Sequence, residues 1–434
     1  MSRLVRLNPT DEMLAAAARS VGATRRIQFV WALPRRLDRA RVDEFWQRLD
    51  RGVLSRRPSA PLVPGARRWW AAAPNAQRPI VMDPGPGAPI LDWLDQQVRV
   101  PLDADRLWSL AYRPTEAGSV VALTVPHSLV DGVGLLRAIE AAGNPETDSL
   151  PDRPRCADDV ADIADQLVGG LRDTVRWTGR VRRDASLRAS LVQAIRSRGV
   201  GRVATEGAAP QFFSTAFCTV SARDWQAAAD ASGGTVNSLF ITFAERLYRT
   251  AVDRIGDGPL DIGIPVSLRA GPGDLSANAL VVVPMRIAAG GSTARQIRVL
   301  ARERLERSSP EDITLVPQSI WHHLPRGLAA ALKTPGAQFT DVVASNFGAA
   351  GDSVARALDG QGASKVFVRT MSVPGVVPGR ARLRLSLCMI RLGDTLSVSV
   401  TGIPDHFGSS DRLADTADLV LRDLPVRAEK WTVT

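Results

Sequence analysis

Val125-Pro126-His127-Ser128-Leu129-Val130-Asp131-Gly132 is the stretch on which the fold is decided. Upstream of it, residues 119–125 form a mostly apolar run of strand length. Downstream the period changes: Val133, Leu136 and Ile139 recur at helical intervals until Gly143-Asn144-Pro145 stops them. A strand thus hands His127 to a turn, from which its imidazole can project into an opening. With an ordinary pKa of about 6.5, imidazole is the side chain best suited to take a proton near neutral pH. Asp131 is too near in sequence to count as an independent acid. Gly132 and Gly134 allow close backbone approach where the turn becomes helix. Taken alone, the string equally fits a strand-end histidine followed by an aspartate N-cap.

Working outward, the pattern predicts a strand over 27–33, a helix over 38–49 and an irregular connection over the Pro/Gly-rich stretch 58–89. Two adjacent strands follow over 107–112 and 119–125. Residues 158–196 read as amphipathic helix and 197–210 as a linker. The second half alternates again. Strands are expected over 213–220, 260–266, 279–287, 341–345, 366–369, 383–390 and 396–400, and helices over 222–231, 237–252, 294–306, 313–332 and 411–424. Mixed strands and helices on both sides of the linker predict two similar α/β layers facing each other.

The 434 residues exceed one ordinary core, so two domains of roughly 200 residues are expected, 1–200 and 201–434. Hydrophobic residues make up 45% and charged residues 23%, which excludes disorder. No stretch approaches the roughly 20 apolar residues of a membrane helix, and the start carries no apolar signal-peptide core, so a cytoplasmic protein with at most peripheral membrane contact is expected. Cys156, Cys218 and Cys388 lie far apart and lack ligand spacing, which predicts reduced, packed thiols and no metal. The net charge is +10, yet the basic residues are scattered and, apart from Lys333, Lys365 and Lys430, all are arginine. Without a nucleic-acid module this charge predicts no nucleic-acid partner. It suits coenzyme A phosphates, an acidic carrier protein or an anionic membrane surface alike.

The string Val125 to Gly132 resembles the His-x-x-x-Asp-Gly signature of the condensation-domain superfamily of coenzyme A-dependent acyltransferases, which includes chloramphenicol acetyltransferase, peptide-synthetase condensation domains and bacterial wax ester synthase/diacylglycerol acyltransferases. Other stretches resemble the last group in order. These are Leu7-Asn8-Pro9-Thr10-Asp11, Ile264-Pro265-Val266-Ser267-Leu268-Arg269, Ala277-Asn278-Ala279-Leu280, Ala344-Ser345-Asn346-Phe347-Gly348, and the closing strand and acidic turn over 396–405. Two positions depart: Pro126 stands where lipid-making members carry a first histidine, and Ala277 where their glycine precedes the asparagine.

The resemblance implies two chloramphenicol-acetyltransferase-like mixed-sheet α/β subdomains in a V-shaped pseudo-dimer with a central tunnel. It implies an acyltransferase that moves an acyl group from an acyl-coenzyme A or carrier-protein thioester to an alcohol, with no cofactor. His127 would be the general base, and Asp131 would pair with Arg269 to fix the loop. Gly132, Arg269 and Asn278 would support the motif. Ser345 and Asn346 would orient the donor or line the acceptor channel, or else satisfy a strand terminus. The partners implied are an acyl thioester donor, an alcohol or amine acceptor and, for some members, a carrier protein. Two alternatives stand beside this reading: a condensation enzyme of natural-product assembly forming an amide or ester, which Pro126 favours over bulk lipid synthesis, and a catalytically silent member that binds a carrier or ligand.

Other constellations fail on chemistry. Gly85, Gly87, Gly271 and Gly273 are interrupted by proline, so they make no dinucleotide loop. His322 and His323 are neighbours whose side chains diverge by about 100° on a helix and cannot clamp one metal. His406 reads as a solvated turn residue, Trp69-Trp70 as core or cleft wall, and no Gly-x-Ser-x-Gly elbow exists.

Overall fold

Residues Thr24–Leu33 (β1) are buried along nearly their whole length, with Ile27, Phe29 and Trp31 on one face, Val30 beside the hydrogen-bonded Arg26 and Gln28 on the other, and a neighbour on each edge. One neighbour is Ser119–Pro126 (β6), antiparallel, with Ile27 opposite Val125. The other comes from far along the chain: Lys365–Val373 (β11) runs antiparallel to β1, with Ile27 opposite Thr370. With Ser109–Pro114 (β5) and Ile80–Val81 (β4) they form a five-stranded sheet in the order β11-β1-β6-β5-β4.

The second sheet has seven strands in the order β14-β7-β13-β12-β10-β8-β9. Its members are Ser214–Ser221 (β7), Leu260–Ser267 (β8), Leu280–Ile287 (β9), Val342–Ala349 (β10), Leu385–Leu392 (β12), Thr395–Gly402 (β13) and Ala428–Lys430 (β14). β10 is parallel to β8 and β12, so the sheet is mixed. A hairpin of Arg56–Ser59 (β2) and Trp69–Ala72 (β3) stands apart. The structure is a computed structural model and describes residues 4–12, 14–15, 24–75, 80–81, 89–103, 105–143, 153–197, 209–252, 258–271, 273–307, 315–321, 324, 332, 340–377, 383–424 and 426–430.

Periodicity explains the layers. On β1, Ile27, Phe29 and Trp31 face a core shared with Val42, Phe45 and Leu49 of helix Arg39–Asp50 and with Leu135 and Ile139 of helix Gly132–Gly143. Val30, on the other face, packs with Trp93 and Leu94 of helix Ile90–Arg99 and with Phe217 and Phe367. The second sheet buries its own face under helices Ala222–Ala231, Val236–Ala251 and Ser410–Asp423. Cys388 and Ile390 of β12 belong to the first core, so the two sheets meet.

Four expectations need correction. The stretch 58–89 is not wholly irregular: β2 and β3 pair across a loop, and β4 adds two residues to the first sheet. Helix Ile90–Arg99 lies between that stretch and the next strand, where none was expected. The long amphipathic helix is two, Cys156–Arg183 and Ala185–Ser197, broken at Asp184. Within 313–332 the described residues are helical only over Gln318–Trp321, because Pro317 removes a donor and starts the helix there. His322, His323 and most of the linker, 198–208, lie outside the described residues.

Helix Cys156–Arg183 is also inverted in polarity. Its buried face carries Asp159, Asp162 and Gln166, while Val160, Leu167, Val168, Leu171 and Val175 are exposed. The carboxylates face inward because Asp159 pairs with Arg6 at 2.5 Å and Asp162 with Arg67 at 2.6 Å. No helix among the described residues is long and apolar enough to cross a membrane.

Candidate active site

The turn that carries His127 is held from both sides. Its backbone N–H donates to the Arg25 carbonyl at 2.8 Å, and Leu129 N–H closes the turn on Pro126 at 2.9 Å. Leu129 and Val130 are buried in the first core, which pins the turn from below. Asp131 then starts the helix. Its Oδ1 accepts from Gly134 N–H at 2.7 Å, its Oδ2 from Ala279 N–H at 2.8 Å, and its own N–H donates to the Ala277 carbonyl at 3.0 Å. It is therefore an N-cap, and more than that.

Arg269, 138 residues away, donates from Nη2 to Asp131 Oδ1 at 2.9 Å. Both side chains are almost wholly buried, 2% and 3% exposed. The contact is a single charge-assisted hydrogen bond, not a two-pronged fork: Nη1 is committed to backbone carbonyls and the buried Nε has no partner among the described residues. The guanidinium donates to the carbonyls of Asp274 at 3.1 Å, Ser276 at 2.8 Å and Ala277 at 3.1 Å. Arg269 thus ties the loop after β8 and the helix start into one unit.

Gly132 and Gly134 are required by packing. A Cβ on Gly132 would sit 2.3 Å from the Phe347 ring, and one on Gly134 2.6 Å from Arg269 Nη2. Gly132→Ala should therefore lower stability by about 1–3 kcal/mol through a displaced ring. Gly169→Ala, on an open helix surface with nothing within 4 Å, should be neutral or slightly stabilising. Thermal unfolding of both variants checks this; equal melting temperatures would reject the packing argument.

The imidazole has a partner from the second half: His127 Nδ1 lies 3.1 Å from Asn278 Oδ1. The orientation of that amide follows from Asp11, whose Oδ1 accepts from Asn278 N–H at 3.1 Å and from Asn278 Nδ2 at 3.0 Å. An ionised carboxylate only accepts, so the NH2 must face Asp11 and the amide oxygen must face the histidine. A carbonyl oxygen accepts as well, so Nδ1 carries the hydrogen and Nε2 keeps its lone pair. Asp11 is positioned locally by Asn8-Pro9-Thr10-Asp11: Asn8 caps a helix that begins at Pro9, and the two side chains exchange bonds with each other's backbone N–H at 2.9 and 3.1 Å.

Burial pulls the His127 pKa below its ordinary value, and the Arg25 guanidinium adds to the effect; Asp131 and Asn278 act in the opposite sense. The half-buried imidazole is therefore neutral near pH 7, the form a base needs. Burial raises the Asp11 carboxyl to about 6, against the hydrogen bonds from Asn8 and Asn278 and the charge of Arg56. Arg56 itself is buried, donates to the Leu275 carbonyl at 2.7 Å and lies 4.9 Å from the Trp70 ring centroid.

The structure does not bring Ser345 and Asn346 into hydrogen bonding with His127. Asn346 is exposed within β10, and its Oδ1 accepts from Gly348 N–H at 2.9 Å where the register with β12 shifts. Their neighbour Phe347 does reach the motif, through Gly132. Cys218 and Cys388 are buried and Cys156 is exposed, all as free thiols. Among the described residues, no cluster of three or more His, Cys, Asp or Glu could hold a metal ion. Arg25 and Arg56 were not singled out from the sequence, and Asp11 entered only as the last residue of the resembling stretch Leu7-Asn8-Pro9-Thr10-Asp11, with no role of its own.

No family model matches the chain, and no curated protein sequence does. Solved structures do. The first condensation domain of the calcium-dependent antibiotic synthetase, in complex with a substrate analogue, aligns at TM-score 0.57 and 15% identity, over 97% of this chain and 96% of that one. The chain has the condensation-domain fold. The wax ester synthase/diacylglycerol acyltransferase from Marinobacter aquaeolei VT8 aligns at TM-score 0.55 and 16% identity, over 97% and 98%. The nonribosomal peptide synthetase FmoA3 aligns at 0.52 and 17%, with 98% of this chain on 42% of that one. At such identities the likeness is one of fold, and it is the fold expected from the motif order in the sequence.

Proposed function

We propose that the chain is an acyltransferase in which His127 moves the proton for direct transfer from a thioester to an alcohol or amine. The observation that carries the reading is the chain of contacts Asp11, Asn278, His127, which leaves Nε2 as a neutral acceptor at a half-buried turn. A thioester is already activated, so no covalent acyl-enzyme is needed. Nε2 takes the proton from the acceptor as its oxygen or nitrogen attacks the thioester carbon; the C–S bond breaks, and the departing thiolate recovers that proton. General-base catalysis of this kind contributes on the order of 10²- to 10⁴-fold. Asp131, saturated by two backbone N–H groups and Arg269, has a positioning role. The donor is read as acyl-coenzyme A or a carrier-bound acyl group, and the net charge of +10 suits the phosphates of either. Incubation with a panel of acyl-coenzyme A and carrier-bound thioesters against alcohols and amines, with products weighed by mass spectrometry, tests the reading. Absence of thioester-dependent ester or amide across the panel would leave the silent-member alternative.

The relay has a pH signature. Above about 6 Asp11 is ionised and holds the amide oxygen toward His127; as pH falls through that value it takes a proton and the hold is lost. kcat/KM should therefore fall on the acid side through an ionisation near 6. In Asp11→Asn that step should vanish, leaving a limb set by His127 alone, below the ordinary histidine value. Superimposable limbs in the two pH profiles would refute a role for Asp11.

A further inference from the structure

Arg25 is the residue opposite His127 across the β1–β6 pair, one step beyond Arg26 and Pro126, and its carbonyl accepts the His127 N–H. Residues that face each other across antiparallel strands put their side chains on one face of the sheet. That face is the one bearing Ile27, Phe29 and Trp31, which looks toward β12. There Cys388 is 2% exposed, and Thr370 Oγ1 lies 2.9 Å from Ser386 Oγ. The Arg25 charge acts on both the Cys388 thiol and the His127 imidazole.

The buried arginines nearby all have acceptors. Arg26 donates to the carbonyls of Val98 and Val100, Arg56 to that of Leu275, Arg269 to Asp131, and Arg369 to Gln28 and Asp95. Among the described residues, the Arg25 side chain has neither a hydrogen bond nor an ion pair, and it keeps partial solvent exposure. Burial lowers its pKa and no carboxylate offsets it. A desolvated cation without a counter-charge is unfavourable, and beside a base it also weakens that base. An anion beside Arg25 would supply the counter-charge that the described residues do not.

We propose that Arg25 binds a carboxylate on the acyl acceptor, placed next to the hydroxyl or amino group that His127 deprotonates. The inference rests on His127 being where the acceptor reacts. Cβ atoms of a cross-strand pair are about 5 Å apart, close enough for one small acceptor to meet both side chains when its carboxylate lies one carbon from the nucleophilic oxygen or nitrogen. The bound carboxylate neutralises Arg25 and lets the imidazole become more basic in the complex than in the free protein. Asp131 and Asn278, the other groups acting on the ring, are fixed by their own partners and do not change.

Lactate and its neutral counterpart methyl lactate serve as probes. Long-range ¹H–¹⁵N spectra resolve His127 among the chain's four histidines, with His127→Ala giving the assignment. At constant ionic strength, lactate should shift the His127 signals saturably and raise its pKa, and methyl lactate should not. Arg25→Met should abolish the lactate response and Arg25→Lys should retain it. In transfer assays, wild type should prefer hydroxy acids to their methyl esters, and Arg25→Met should reduce the ratio of the two kcat/KM values by about tenfold or more, as removal of one charge-assisted contact does. A response that is equal for lactate and methyl lactate, or unchanged in Arg25→Met, overturns the proposal. So does an equal loss of acid and ester turnover, which would assign Arg25 to the oxyanion of the transition state. A charge-specific lactate response without acyl transfer from any thioester supports the anion site and rejects the acyltransferase reading.

Discussion

His127→Ala lowers turnover by about two to four orders of magnitude while leaving the fold and donor binding nearly intact. The separation of effects follows from the structure. The imidazole is half-buried and its side-chain hydrogen bond is to Asn278, whereas the turn is held by backbone bonds from His127 and Leu129 and by the buried side chains of Leu129 and Val130. Removing the ring therefore deletes the proton acceptor and little else. Circular dichroism and melting temperature should match wild type while product formation collapses. A variant that kept wild-type turnover in a defined transfer assay would sink the mechanism.

Asp131→Asn and Arg269→Gln each lose about 3–5 kcal/mol of stability, and the double variant loses less than their sum. The pair is buried at 3% and 2% side-chain exposure, so either partner left alone is a charge without water or counter-ion. Asparagine at 131 would also turn an NH2 toward a donor that the carboxylate accepts, either Gly134 N–H, Ala279 N–H or Arg269. Activity should fall with stability because the same turn carries His127. Thermal unfolding of the four proteins beside their turnover rates measures the coupling. Strict additivity of the two losses would reject a direct pair, and loss of turnover in Asp131→Asn without any change in melting temperature would mark Asp131 as a proton-transfer acid instead.

What the sequence disclosed tracks how local the information was. The passage from β6 through His127 into helix Gly132–Gly143 is written in contiguous residues, as a change from strand to helical spacing, and its ends were legible to within a few positions. Arg269 was reached through motif resemblance, since nothing local connects it with Asp131. Asp11 was not reached as a partner of Asn278, because their contact spans 267 residues and depends on two loops that meet only in the folded chain. Arg25 escaped for a related reason: its meaning lies in the lack of an acceptor, which no sequence displays. The four-residue strands of the β2–β3 hairpin are too short for an alternation to register among prolines and glycines. Helix Cys156–Arg183 shows a further limit, since periodicity reveals two faces but does not say which one turns inward.

The placement of β11 has a consequence for how the protein comes into being. The first sheet takes β11 from beyond residue 364, so β1 lacks its second edge partner until the ribosome has released Val373. Until then the nascent amino-terminal half presents an unpaired edge along Thr24–Leu33, a segment apolar enough to recruit another chain. Domain-by-domain folding during synthesis, the usual protection for a chain of this length, is denied to this half. Its completion waits for the carboxy-terminal half, and the two mature together.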